Sequence, residues 1–124
     1  MNNNIITTFE NRNDFLNKLK ENPGLIIIKF GAEWCGPCKK IEKTVDEWFS
    51  KMPNNVQCYK IDVDDNFDVY AYLKKQKMVT TIPALLCYIQ GNENYIPDLL
   101  LSNSDINKVN EFFINCLNNI QYYL

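Results

Sequence analysis

Residues 25–30 form a nearly continuous apolar run that only Lys29 interrupts. Such a run is typical of a strand that is buried on both faces of a sheet. Shorter apolar stretches predict four further strands, at residues 5–9, 56–63, 84–89 and 95–101. Because Gly91-Asn92 lies between the last two, we expect them to pair as a hairpin.

Apolar residues recur at helical spacing in the segments between these strands. The helix predicted after residue 35 carries Ile41, Val45, Trp48 and Phe49 on one side. A first helix, capped by Asn11 or Asn13, is predicted before the apolar run, and a third is predicted to begin at residues 64–66. The last helix is predicted to be capped by Ser102 or Ser104 and to fray at Tyr122-Tyr123-Leu124. Its predicted buried side contains Ile106, Val109, Phe113, Cys116, Leu117 and Ile120.

The predicted order of elements is therefore β-α-β-α-β-α-β-β-α. Alternating strands and helices predict an α/β layered domain, and the late hairpin adds an antiparallel pair, which makes the central sheet mixed. The chain has 124 residues, a length that suits one domain over residues 1–124.

Composition narrows the function classes. A net charge of −2 offers no basic surface for a nucleic acid, so we expect no nucleic-acid partner. No apolar stretch approaches the length of a membrane span, and residues 1–4 show neither the basic region nor the apolar core of a secretory signal. We therefore expect no membrane association and a cytoplasmic protein.

Three of the five cysteines, Cys58, Cys87 and Cys116, lie in apolar segments. An odd number of cysteines in such surroundings argues against a structural disulfide framework and favours a reducing compartment. We interpret these three residues as small apolar core side chains.

The other two cysteines, Cys35 and Cys38, are separated by Gly36-Pro37 at the predicted start of a helix. A helix N-terminus presents unpaired N–H groups that stabilise a thiolate, which is the reactive form of cysteine. Pro37 fits the first helical turn, where its missing N–H costs little. A zinc site is the alternative, but the chain has no histidine and no second Cys-x-x-Cys pair. An inert buried pair is the other alternative.

Three segments together resemble the thioredoxin family. They are Ala-Glu-Trp-Cys-Gly-Pro-Cys-Lys at residues 32–39, Lys-Ile-Asp-Val-Asp-Asp-Asn at 60–66 and Val-Thr-Thr-Ile-Pro-Ala at 79–84. The resemblance extends over essentially the full chain in element order and spacing. It implies a thioredoxin fold and a thiol–disulfide oxidoreductase that reduces protein disulfides.

The resemblance also implies roles for individual residues. Cys35 would attack a substrate disulfide, and Cys38 would resolve the mixed disulfide, leaving a Cys35–Cys38 disulfide. We expect Cys35 to be exposed and Cys38 to lie beneath it. Trp34 would form part of an apolar rim, and a cis Ile82-Pro83 bond would leave backbone groups of Ile82 free to pair with an extended substrate.

A thioredoxin-like enzyme would need no cofactor, because a separate thioredoxin reductase recharges its disulfide. We expect a monomer acting on disulfide-containing proteins. The competing interpretation is a protein-binding module of the same fold in which redox cycling is incidental. An oxidase or isomerase is a third possibility, which the absence of a visible signal peptide disfavours.

The sequence departs from the family pattern at four positions. Lys29 stands where the family has a buried aspartate under the second cysteine, whereas Lys60 matches the family's usual lysine. Two cations would then approach one cavity, and we expect one to turn away. Ser102 stands near a common glycine, Ala84 where threonine is common, and Gly31 where a larger residue is usual. These last three positions are expected to affect the substrate groove.

Overall fold

The computed structural model describes residues 4–120. Its elements follow the predicted order of strands and helices. The strands are β1 (Ile5–Ile6), β2 (Leu25–Gly31), β3 (Val56–Asp62), β4 (Ala84–Ile89) and β5 (Leu99–Leu101). The helices are α1 (Arg12–Lys20), α2 (Gly36–Ser50), α3 (Phe67–Lys75) and α4 (Ile106–Ile120). The predicted α/β class is confirmed.

The five strands form one mixed sheet in the order β1-β3-β2-β4-β5. Strands β1, β3 and β2 are parallel to one another, and β4 pairs antiparallel with both β2 and β5. Strand β2 is central, and all seven of its residues are buried. Burial on both faces explains why its sequence is almost continuously apolar.

Side chains alternate between two apolar layers along β2. Ile26 and Ile28 lie in a cluster with side chains of α1 and α3, whereas Leu25 and Ile27 lie in a cluster with side chains of α2 and α4. This arrangement packs α2 on one face of the sheet. Its N-terminus follows β2 after a short loop, at the carboxyl end of the strand.

Two strands are shorter than the sequence pattern predicts. Strand β1 ends at Ile6 rather than residue 9, and β5 begins at Leu99 rather than residue 95. The side chains of Asn92 and Asn94 accept hydrogen bonds from backbone N–H groups two residues later and hold residues 92–96 in turns. Asparagine turns of this kind compete with strand pairing.

The predicted cap of α4 is also wrong. The Asp105 carboxylate accepts a hydrogen bond from the Asn107 N–H at 2.8 Å, so Asp105 caps this helix instead of Ser102 or Ser104. The buried side of α4 includes Phe112, which the predicted pattern omits. The predicted fraying at residues 122–124 lies outside the described residues.

Substitution of Gly24 by alanine is expected to destabilise the fold. An added Cβ would lie 2.6 Å from the backbone oxygen of Asn55, which accepts the Leu25 N–H at 3.0 Å. We expect the free energy of unfolding to fall by about 1–3 kcal/mol in urea denaturation. Gly31→Ala is the control, because its Cβ would meet no atom closer than 3.4 Å. Equal stability of the two variants would contradict this account.

Candidate active site

Cys35 and Cys38 form a disulfide at the N-terminus of α2, with their Cα atoms 5.3 Å apart. Cys35 is the N-cap residue, and its Sγ accepts a hydrogen bond from the Cys38 N–H at 3.2 Å. Gly36 and Pro37 occupy the first turn, where an N–H has no partner within the helix. A free backbone donor of the helix is therefore directed at the Cys35 sulfur.

The two cysteines of the disulfide are buried, and the segment before β4 that contains Ile82 lies against them. Cys35 is 5% exposed and Cys38 is 3% exposed. The expectation that Cys35 is an exposed nucleophile is therefore wrong for the disulfide form. The physical reason is the close approach of the segment before β4, which places the Ile82 carbonyl oxygen 3.8 Å from Cys35 Sγ.

Trp34 lies on the surface beside the disulfide, with 70% of its area exposed. Its indole Nε1–H donates a hydrogen bond to the Asp64 carboxylate at 2.8 Å. A role in core packing is therefore excluded for Trp34, whereas Trp48 stacks on Phe113 with ring centroids 5.4 Å apart. Asp64 could not be assigned to the site from the sequence, because no local pattern connects two residues that are 30 positions apart.

The Ile82-Pro83 peptide bond is cis. Both residues, together with Pro37 and residues 102–104, line a cavity of about 250 Å³ next to the disulfide. Ser102 therefore lies in this groove, as expected. Ala84 and Gly31 do not line this cavity: Ala84 is fully buried, and Gly31 lies beside Cys38.

A second cavity, of about 620 Å³, lies on the other side of Cys38 and is lined by both Lys29 and Lys60. The Lys60 ammonium pairs with the carboxylates of Asp46 at 3.0 Å and Glu42 at 3.5 Å. The expectation that one lysine turns away is therefore wrong: both side chains line the cavity. The carboxylates of α2 hold Lys60 there and reduce the repulsion between the two cations.

Lys29 is 5% exposed in this cavity. Burial lowers the pKa of its ammonium group from the ordinary value, because desolvation penalises the charged form. The nearby charge of Lys60 lowers that pKa further, while Glu42 and Asp46 oppose the shift. Lys29 and Cys38 thus face the same cavity, one on β2 and the other on α2.

The remaining cysteines, Cys58, Cys87 and Cys116, are free thiols and are all buried, as expected of core side chains. Burial raises the pKa of Cys58 to about 12 and raises that of Cys116 as well. Within residues 4–120 there is no cluster of three or more His, Cys, Asp or Glu side chains that could hold a metal ion. The zinc interpretation of Cys35 and Cys38 therefore gains no support.

A family model described as Thioredoxin matches residues 6–110 of the chain. The chain belongs to the thioredoxin family. Because its Cys-x-x-Cys pair forms a disulfide within the matched residues, the protein is a thiol–disulfide oxidoreductase. The resemblance stated from the sequence is confirmed, as are the thioredoxin fold and the enzyme class.

This chain is also similar to individual thioredoxins in sequence and in structure. Thioredoxin H-type of Fagopyrum esculentum is 37% identical over 86 residues, which cover 69% of this chain and 70% of that protein. Thioredoxin M3, chloroplastic, of Oryza sativa is 31% identical over 70 residues, and the match spans only 38% of its length. The Trichomonas vaginalis thioredoxin structure superimposes with a TM-score of 0.68 at 25% identity, covering 89% of this chain and 96% of that one.

Among residues 4–120 of this thioredoxin-family protein, no helix is long and apolar enough to cross a membrane. Lys29, which is buried beside Cys38, stands where the sequence departs from the family pattern.

Lys29→Met is expected to stabilise the folded thioredoxin domain at neutral pH by about 1–2 kcal/mol, because it removes a buried charge. The folded-state pKa of Lys29 lies below its unfolded value near 10.5, so the native state binds this proton less tightly. The wild type therefore gains stability as the pH rises from the folded pKa to the unfolded pKa, and the difference between the proteins shrinks. Urea denaturation across this range checks the trend, with the exposed Lys43→Met as control. A difference that is independent of pH would contradict it.

Proposed function

We propose that this protein reduces disulfides in other proteins, with Cys35 as the attacking thiolate and Cys38 as the resolving thiol. The observation that supports this division is the hydrogen bond from the Cys38 N–H to Cys35 Sγ at the start of α2. A backbone donor and the positive end of the helix dipole favour negative charge on Cys35. Within residues 4–120 no backbone donor of this helix terminus is directed at Cys38 Sγ, although both cysteines are buried.

The reaction has two exchange steps. The Cys35 thiolate attacks one sulfur of the substrate disulfide, so that a mixed disulfide forms and the first substrate thiolate leaves. Cys38, once deprotonated, attacks Cys35 Sγ, which forms the Cys35–Cys38 disulfide and releases the second substrate thiolate. The substrate gains two electrons, and the enzyme loses them. The Cα separation of 5.3 Å places both sulfurs within reach of this second step.

Substrate docking is proposed at the surface around the disulfide. Trp34 offers an exposed apolar face, and its bond to Asp64 fixes the orientation of the indole ring. The groove lined by Ile82, Pro83 and Ser102 runs along the other side. Within it, the backbone of Ile82 is proposed to pair with an extended substrate segment.

The proposed setting is the cytosol, where a thioredoxin reductase would recharge the protein. Three free, buried thiols suit a reducing compartment. We propose that the protein acts as a monomer formed by one domain over residues 1–124. It requires no cofactor besides its own disulfide.

Reduction of insulin by dithiothreitol tests this function, because the released B chain precipitates and turbidity reports the rate. Turbidity is expected to rise much faster with the protein than with dithiothreitol alone or with Cys35→Ser. A rate equal to that of Cys35→Ser would overturn the proposal in favour of a binding module.

A further inference from the structure

Three polar or charged side chains are buried in the described part of the chain: Asn22, Lys29 and Asn66. The amide groups of Asn22 and Asn66 are hydrogen-bonded to the backbone. Lys29 differs, since within residues 4–120 its ammonium makes no hydrogen bond and no ion pair. An ammonium that lines a cavity without a partner loses part of its hydration, so its position calls for a functional explanation.

The structure places Lys29 next to Cys38. The position that a Cβ on residue 31 would occupy lies 3.4 Å from Cys38 Sγ and 3.6 Å from Lys29 Cε. Because residue 31 is glycine, no side chain separates the two groups. Both also line the 620 Å³ cavity, which provides room for water between them.

The other charges around Lys29 do not cancel its effect on the sulfur. From α2, Asp46 and Glu42 are engaged by Lys60 of β3. The remaining charged groups that line the cavity are Glu33, Lys39, Asp62 and Asp65. All seven of these side chains are exposed or half-buried, whereas Lys29 is buried. Since solvent screens exposed charges more strongly, Lys29 is the charge that Cys38 senses most.

We propose that Lys29 stabilises the negative charge that develops on Cys38: its ammonium, which lines the same cavity, favours the thiolate over the thiol. This proposal rests on the two-step reaction above. The thiol S–H bond breaks, the proton passes to water in the cavity, and the sulfur keeps the electron pair with which it attacks Cys35 Sγ.

The same contact alters the redox equilibrium. The disulfide carries no charge, so Lys29 gains little from it, whereas the reduced form offers a thiolate that a cation stabilises. Stabilisation of the reduced form makes a disulfide easier to reduce. Lys29 is therefore expected to raise the reduction potential of this protein.

A charge series at residue 29 tests the proposal through the redox equilibrium with glutathione. Lys29→Arg keeps the cation, Lys29→Met removes it, and Lys29→Asp reverses it. We expect the equilibrium constant for reduction to fall about tenfold in Lys29→Met, which is roughly 30 mV, and to fall further in Lys29→Asp. Lys29→Arg is expected to stay close to the wild type. Lys43→Met, which removes an exposed lysine of α2, is the control for net charge and is expected to show no shift.

The kinetics separate the inference from the function on which it rests. The reduced protein is mixed with the aromatic disulfide dithiobis(nitrobenzoate) in a stopped-flow instrument, and release of the two coloured thiolates is followed. The first thiolate reports attack by Cys35, and the second reports resolution by Cys38. In Lys29→Met we expect an unchanged first phase and a second phase about tenfold slower at neutral pH, which recovers near pH ~9, where a thiol of ordinary pKa ~8.5 ionises by itself.

Each outcome decides one question. A missing first phase in the wild type would overturn the proposed function. A normal first phase with equal second phases in wild type and Lys29→Met would overturn the role of Lys29 alone. The reduction potential is expected to decrease in the order of residue charge: wild type and Lys29→Arg, then Lys29→Met, then Lys29→Asp. Any other order would also overturn the role of Lys29, because a residue with a merely structural role would not produce that order. Lys29→Arg keeps the test decisive if Lys29→Asp does not fold.

Discussion

Insulin reduction is expected to fall to the dithiothreitol background when Cys35 is replaced by serine, a loss of roughly 10³-fold or more. The reason is chemical: the helix terminus can stabilise a thiolate but cannot ionise a serine hydroxyl at neutral pH. Cys38 is not expected to substitute for Cys35, because the N–H of the helix terminus that stabilises a thiolate is directed at Cys35 Sγ. The turbidity assay measures this loss.

The matched control for Cys35→Ser is Cys116→Ala, which removes a fully buried thiol outside the active site. This change is expected to reduce stability slightly and to leave the rate of insulin reduction unchanged. Circular dichroism verifies that both variants are folded. Substantial turnover by a folded Cys35→Ser variant would show that the attacking sulfur has been misassigned.

Cys38→Ser is expected to turn the protein from a catalyst into a trap. Cys35 would still attack the substrate, but no second thiol would be present to release it. The mixed disulfide should therefore persist until an external thiol cleaves it, whereas in the wild type it should not accumulate. Non-reducing electrophoresis and intact mass measurement detect one substrate chain per protein molecule.

The double variant, with both Cys35 and Cys38 replaced by serine, is the control for this trap. It should form no covalent complex, because the three remaining thiols are buried. Complexes in the double variant would point to one of those buried thiols instead. Failure of the single Cys38→Ser variant to accumulate any complex would contradict the role of Cys38 in resolution.

The central part of the fold could be predicted from the sequence because its patterns are strong and local. The run at residues 25–30 is apolar on both faces, and the spacing of Ile41, Val45 and Phe49 fits one side of a helix. The segment before β5 could not be predicted in the same way. There the asparagine side chains of residues 92 and 94 compete for backbone N–H groups, and alternation of apolar residues does not reveal that competition.

The site could be predicted only in part. The Cys-Gly-Pro-Cys segment, the tryptophan before it and the later Ile-Pro together resemble the family's active site, so Cys35 and Cys38 could be predicted from that resemblance. The bond from Trp34 to Asp64 joins two loops and depends on how they meet in space. The burial of Lys29 was also undetermined, because a long side chain on a buried strand can extend to solvent or stay inside.

Alkylation of the fully reduced wild-type protein tests the central claim most directly, since it requires no substitution. The protein is treated with limiting iodoacetamide at neutral pH, and peptide mapping by mass spectrometry then locates the modified cysteine. The account predicts that Cys35 is modified first and that Cys38 and the three buried thiols lag far behind. Modification of Cys38 before Cys35, or equal modification of both, would contradict it.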